Sequence, residues 1–354
     1  MMKLKDLGFD QWFETHFNAL RQDGHDIARV SAVDRGSYLI KNELREIPAG
    51  LAGKFYFRVE SPVDLPCVGD WVTVQYHNDN TEAIIHGVLP RKTFLRRKCA
   101  GENVDFQMIA ANIDIAFIVQ SCHFDFNMKR LDRYLVMAAD GHVEPMVILT
   151  KTDLISHSEL EQKLAAVKQT GIIARVFALS NITGSGFDEF QQVLVPGKTY
   201  CLLGSSGVGK TTLINRLIGQ NTFNTNAVSG TGEGTHTTAR RQLIFLNQGS
   251  MLIDTPGMRE LGLLGASDGV NQGFEDIIEL SGKCHYANCS HTQETNCAVL
   301  TAVTNGELSE ERYSSYMKLK KESQYHEMSY VDKRKKDRAF GRFMKTAKKN
   351  MNKA

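Results

Sequence analysis

The run Gly204-Ser205-Ser206-Gly207-Val208-Gly209-Lys210-Thr211 has the G-x-x-x-x-G-K-[ST] spacing of a phosphate-binding loop. Glycines at these positions let backbone N–H groups converge on phosphate oxygens. Lys210 would bridge a β- and a γ-phosphate, which also makes it a catalytic candidate, and the Thr211 hydroxyl would bind Mg²⁺. The phosphate- and metal-holding run extends to Thr212. Downstream, the apolar stretch Met251-Leu252-Ile253 ends in Asp254-Thr255-Pro256-Gly257. An acid there holds Mg²⁺ through water, and the Gly257 N–H can meet a γ-phosphate. Between them, residues 230–238 are rich in glycine and hydroxyls, the composition of a loop that moves when triphosphate binds. Thr238, with Thr237 close behind, is the candidate to complete the Mg²⁺ shell. A second chemistry lies further on. Cys284-x4-Cys289-x-His291-x5-Cys297 places three thiols and an imidazole within 14 residues, the four soft ligands of a closed, structural Zn²⁺ site with no open coordination position.

Base choice is written upstream of the phosphate loop. Thr150-Lys151-Thr152-Asp153 follows an apolar strand and resembles the N-K-x-D guanine element of GTPases. A carboxylate at Asp153 accepts from the two N–H donors on one edge of guanine, a pattern adenine does not offer. Thr150 stands where Asn is usual, so an amide contact tying the base site to the phosphate loop is expected to be lost. Ser180-Asn181-Ile182-Thr183-Gly184 resembles the S-A-x-T-G loop whose backbone N–H meets guanine O6, with Asn181 in place of Ala. In an ordinary GTPase these base-reading elements follow the phosphate loop. Here they precede it and the D-x-x-G segment comes last, the order of a circularly permuted domain whose switch leads straight into the C-terminal unit.

These residues need a scaffold of alternating strands and helices. Residues 113–119, 145–149, 174–178, 199–203 and 251–253 read as strands. Residues 128–139 (apolar at Leu131, Leu135 and Ala138), 159–169 and 212–218 read as helices, which together imply a parallel sheet covered by helices. Before this, about five short strands (28–30, 37–40, 54–59, 70–74, 83–85) suggest an OB-like β-barrel, either a nucleic-acid platform or a plain spacer. The expected α/β multidomain division is an N-terminal segment 1–27, the barrel 28–97, a permuted P-loop GTPase domain 98–264, a helical zinc-binding domain 265–330 and a basic tail 331–354.

With 354 residues, 42% of them hydrophobic, several ordinary cores can form. No run of about 18 apolar residues lacks a charge, and the start has no apolar signal segment, so neither a membrane span nor secretion is expected. A cytoplasmic monomer is the expectation. The formal charge of +2 hides an asymmetry: residues 331–354 hold ten Lys/Arg against two Asp, a net of +8, which leaves −6 on the rest. Arg91, Lys92, Arg96, Arg97 and Lys98 form a second basic group where barrel meets GTPase, a candidate source of salt-sensitive RNA affinity. Phe340 and Phe343 in the tail would stack on bases or pack on the protein.

Taken together, the barrel, the permuted motifs and the Cys284, Cys289, His291, Cys297 pattern resemble the small ribosomal subunit biogenesis GTPases called RsgA or YjeQ, over nearly the whole chain. The resemblance implies GTP hydrolysis coupled to late maturation of the 30S subunit, stimulation by that subunit, release afterwards, and contact of the barrel and zinc domains with 16S rRNA. Position 258 is Met, where many GTPases orient water with Gln. Slow intrinsic hydrolysis is therefore expected, with the missing group supplied by His236 in the 230–238 loop or by the ribosome. Two rivals remain at the level of sequence. One is an RNA-binding zinc protein with nucleotide as a static ligand. The other is a P-loop kinase, which the Asp254 switch and Asp153 argue against.

Overall fold

The computed structural model describes residues 2–34, 36–98, 106–169, 174–220, 241–255 and 267–327. Helix α1 (Gln11–Leu20) is capped by the Asp10 side chain, which accepts from the N–H groups of Trp12 and Phe13. Its buried Phe13 and Phe17 are one turn apart and lie with Phe9 against the fully buried Trp71, so the N-terminal segment packs on the outside of the barrel.

The barrel has five strands: β1 (Asp26–Asp34), β2 (Ser37–Lys41), β3 (Glu46–Leu51), β4 (Trp71–His77) and β5 (Glu82–Val88), with the one-turn helix α2 (Gly53–Tyr56) between β3 and β4. The pairing order β1-β2-β3-β5-β4 closes through a β1–β4 ladder. Alternating residues such as Val30, Ile40, Ile47, Val74 and Ile85 fill its interior. One strand differs from expectation. The aromatic run 54–59 is not a strand: it forms α2 and a turn, leaving Tyr56 and Phe57 exposed. The third strand is instead β3, in which Pro48 opposes Leu39 on β2 and the parallel contact with β5 begins only at Ala49. A strand can hold a proline where no ladder N–H is needed from it.

A two-stranded ribbon, β6 (Phe94–Lys98) with β7 (Phe106–Ala111), leads to the central domain. There β8 (Ile115–Ser121), helix α3 (Met128–Asp140), β9 (Glu144–Thr150), α4 (His157–Gln169), β10 (Val176–Ala178), α5 (Phe187–Gln191), β11 (Thr199–Leu203), α6 (Lys210–Ile218), β12 (Arg241–Phe245) and β13 (Met251–Asp254) follow in turn. The sheet order is β10-β9-β8-β11-β13-β12. All pairs are parallel except β12–β13, so five strands end at one carboxyl edge. Residues of β8, β9 and β11 are buried on both faces, which is why they read as unbroken apolar runs.

The barrel continues this sheet. Ala32 and Val33 of β1 pair antiparallel with Gln242 and Arg241 of β12. At this joint Arg29, 1% exposed, donates to the carbonyls of Gly69 (3.1 Å), Leu7 (2.5 Å) and Asn112 (3.0 Å). Burial brings its guanidinium down to about 10, against the upward pull of Asp114 and Asp70.

The C-terminal unit is helical: α7 (Ser267–Gly273), α8 (Glu275–Ser281), α9 (Ala298–Thr304) and α10 (Glu310–Glu327). It docks on α3 through a shared apolar core, in which Val270, Phe274 and Tyr316 are buried in one cluster with Leu131, Leu135 and Val136, and through charge. Arg312 forms ion pairs with Asp132 of α3 (3.1 Å) and Asp276 of α8 (2.9 Å), and its guanidinium lies 4.1 Å from the Phe274 ring centre. Arg133 and Glu322 form a second, bidentate pair at 2.7 and 3.1 Å.

The basic residues Arg91, Lys92, Arg96 and Arg97 are less free than their sequence implies. Arg91 grips the buried Asp70 with two bonds of 2.8 Å, Lys92 pairs with Asp10, Arg96 pairs with Asp140 (2.9 Å), and Arg97 donates to Gln107 (3.3 Å). These cations fasten the N-terminal segment, barrel, ribbon and α3 to one another, so each already has a partner within the protein. The tail with Phe340 and Phe343 lies outside the described residues. Among the described residues, no helix is long and apolar enough to cross a membrane.

Candidate functional site

Parallel strands bring the predicted nucleotide residues to one place, because the ends of β8, β9, β10, β11 and β13 share an edge. Strand β11 delivers Gly204, whose backbone sits so close to β8 that a Cβ would lie 2.4 Å from the Val119 carbonyl. The loop turns through positive φ at Gly204, Gly207 and Gly209, and helix α6 starts at Lys210 with Thr211 and Thr212 in its first turn. Val208 is buried, whereas Ser205, Ser206 and Gly207 are partly exposed. The Lys210 ammonium donates to the carbonyls of Gly204 and Ser205, both at 2.7 Å, so it folds back over its own loop. Burial holds it down to about 8, although Asp254 and Asp125 pull it upward. A cation held without a contacting carboxylate is well prepared for a phosphate. Asp254 is buried at the end of β13, next to Thr255, whose hydroxyl donates to the Leu202 carbonyl at 2.7 Å.

The base-reading segments lie beside this loop. Thr150 is fully buried at the end of β9, and its hydroxyl donates to the Val208 carbonyl at 2.6 Å. The tie to the phosphate loop expected to vanish with the missing Asn is therefore made by a hydroxyl. Lys151 has φ 58, the left-handed conformation uncommon outside glycine, and opens a short 3₁₀ turn containing Thr152 and Asp153. Asp153 is exposed, and one carboxylate oxygen accepts from the Ser180 hydroxyl at 2.5 Å. The same Ser180 oxygen accepts from the N–H groups of Ile182 and Thr183. Ser180 thus aims Asp153 and shapes its own loop.

Thr237, Thr238, His236 and Gly257 lie outside the described residues. Two further side chains meet the phosphate loop, Arg130 absent from the motifs and Asn181 known only as a departure from one. Arg130, in the first turn of α3, donates to Asp125 (2.6 Å) and to the Ser205 hydroxyl of the phosphate loop. Asn181 donates from its amide to the Gly209 carbonyl at 3.1 Å. The placement of Arg130 could have been suspected, since it follows a strand that ends at the ligand-binding edge of a parallel sheet.

At the second site, Cys284, Cys289, His291 and Cys297 hold their ligand atoms within 4.8 Å of one another. The Cys284 and Cys297 sulfurs are 3.9 Å apart, and each lies 3.6 or 3.5 Å from His291 Nδ1. Tetrahedral Zn²⁺ with bonds near 2.3 Å to sulfur and 2.0 Å to nitrogen gives edges of about 3.8 and 3.5 Å, so the donor set fits that ion. His291 Nε2 lies 3.1 Å from the Ser281 hydroxyl, which donates to the Ile277 carbonyl and so leaves its oxygen free to accept from Nε2–H. That fixes Nδ1 as the ligating nitrogen. Cys297 also caps α9, its sulfur accepting from the Leu300 N–H.

A sequence model of the RsgA GTPase family matches residues 88–264. The chain is 39% identical to the small ribosomal subunit biogenesis GTPase RsgA 2 of Lactiplantibacillus plantarum, covering 91% of this chain and 90% of that one. It is 36% identical to the small ribosomal subunit biogenesis GTPase RsgA of Opitutus terrae, over 92% and 90%. Among solved structures, YjeQ from Thermotoga maritima shares the fold with a TM-score of 0.63 at 24% identity, covering 83% of this chain and 97% of that one. YloQ, described as a circularly permuted GTPase, gives 0.59 at 26% identity, over 88% and 100%.

Proposed function

The chain belongs to the RsgA family of GTPases, and from that premise we propose that it hydrolyses GTP on the small ribosomal subunit, coupling hydrolysis to the late maturation of that particle and to its own release. The observation that carries this reading is the convergence of Lys210, Thr150 and Asp153 at one sheet edge, with Thr150 bonded directly to the phosphate loop.

In this reading the amides of residues 204–212 take the phosphates, and Lys210 leaves its two carbonyls for the β- and γ-phosphate oxygens. Asp153, held by Ser180, accepts from the guanine edge. Thr211, Thr238 and, through water, Asp254 would hold Mg²⁺, which supplies neutralising charge to the phosphates when bound. Met258 brings no group able to orient water, so turnover of the free protein is slow, and His236 or the ribosome completes the site. One structural Zn²⁺ sits on Cys284, Cys289, His291 and Cys297, and 16S rRNA is the surface met by the barrel and the C-terminal unit. The protein acts as a cytoplasmic monomer.

The test measures GTP turnover with and without purified small ribosomal subunits, beside an ATP control. Faster turnover with subunits and clear preference for GTP are expected. Equal rates with and without subunits would sink the ribosome coupling, and ATP used as readily as GTP would sink the role of Asp153.

A further inference from the structure

We infer that Asn181 supplies the amide that position 150 lacks and is a positioning residue for the nucleotide phosphates. The inference deepens the GTPase reading and rests on it. The two base-reading segments each send one hydrogen bond to the phosphate loop, and the two bonds land on consecutive carbonyls: Thr150 on Val208 (2.6 Å) and Asn181 on Gly209 (3.1 Å).

A trans peptide points its C=O and its N–H in opposite directions. Holding the Val208 carbonyl therefore aims the Gly209 N–H, and holding the Gly209 carbonyl aims the Lys210 N–H, both toward the side away from the base-reading segments. Those two N–H groups begin helix α6, where an anion is best received. The Thr150 hydroxyl has one proton, which the Val208 carbonyl takes at the shorter of its two contacts. The Gly209 carbonyl accepts the first bond of α6 from the Leu213 N–H at 3.0 Å and has a second lone pair for a donor from the base-reading side. Asn181 is that donor.

The placement is firm. Arg216 of α6 donates to the Asn181 carbonyl at 2.7 Å and lies 4.5 Å from the Phe187 ring centre, so the 180–184 loop is fastened to the helix behind the phosphate loop. A Cβ at Gly209 would come within 3.1 Å of the Asn181 amide nitrogen, a tight contact at a backbone φ of 99 that favours glycine. The Asn181 Oδ1 is itself buried without a partner among the described residues, so one side of the amide is held and the other is open to a donor arriving with the nucleotide.

The decisive experiment measures the Kd for GDP of the wild type, N181A and the double variant T150N/N181A, with the thermal midpoint of each protein taken without nucleotide. N181A is expected to bind GDP roughly fivefold more weakly, the scale of one net hydrogen bond, with a nearly unchanged midpoint. The double variant is expected to recover most of the loss, because position 150 borders the same glycine, with the Thr150 hydroxyl 3.9 Å from where a Gly209 Cβ would sit. N181A binding GDP like the wild type, or losing it only in step with its midpoint, overturns the inference. A double variant no better than N181A overturns the exchange between positions 150 and 181. A wild-type chain that binds no GDP overturns the GTPase reading itself and this inference with it.

Discussion

The central domain holds its two neighbours by different physics. Toward the barrel the joint is backbone: a β1–β12 ladder, plus one buried Arg29 whose partners are three carbonyls. Toward the C-terminal unit the joint is side chain: an apolar cluster joining Val270, Phe274 and Tyr316 to Leu135 and Val136, with Arg312 between Asp132 and Asp276, and Arg133 with Glu322. Backbone ladders form or break as a unit, whereas side-chain contacts are made residue by residue. The barrel also carries its own closed core, while the C-terminal unit gathers its loop around four side chains placed to hold a metal ion. The lesson is a division of labour: one neighbour is joined to the GTPase by backbone pairing, and the other, which follows Asp254 in the chain, by packed and paired side chains.

Removing zinc is the strongest way to break this contrast. Structural zinc sites contribute on the order of 10 kcal/mol to folding in small domains. Treatment with a tight chelator should therefore abolish amide protection across residues 281–300, while hydrogen exchange in β1–β5 stays at its untreated level. Loss of protection in the barrel as well would show that the two neighbours do not differ in this way.

Next in size is Arg29→Met, which strips three buried carbonyls of a charged donor. A loss of about 3 kcal/mol is expected, seen as a lowered midpoint in a single transition that includes barrel and central domain together. Two separate transitions would mean that backbone pairing does not unite them. The smallest effect should come from Glu322→Gln, because the pair it breaks is about one-fifth exposed. A change below about 1 kcal/mol, shrinking further at high salt, is expected in the protection of α10. An effect as large as that of Arg29→Met would erase the contrast between the two joints.

How much of this was legible in the sequence depends on how local the signal is. The phosphate loop is local: glycines required at positive φ, a strand before and a helix after, all within about two dozen residues, and strand 199–203 was read to the residue. The third barrel strand is hidden in the sequence because Pro48, Ala49 and Gly50 carry poor strand propensity, while the aromatic run 54–59 carries high propensity and leaves Tyr56 and Phe57 exposed. The basic group at 91–97 looked free because its partners Asp70, Asp10 and Asp140 lie 21, 82 and 44 residues away. Arg130 was invisible for the same reason, since Ser205 is 75 residues on. Asn181 registered only as a departure from a pattern, and its bond to Gly209 turns that departure into the explanation of another one, Thr150.

The ladder between β1 and β12 also bears on how the molecule avoids sticking to itself. Without the barrel, β12 would be the bare margin of the nucleotide-binding sheet, offering unpaired N–H and C=O groups to any passing strand. The barrel covers the start of that margin, at Arg241 and Gln242, and is itself closed through the β1–β4 ladder. At the far end of this eleven-stranded sheet the edge is β10, three residues long and too short to template another chain.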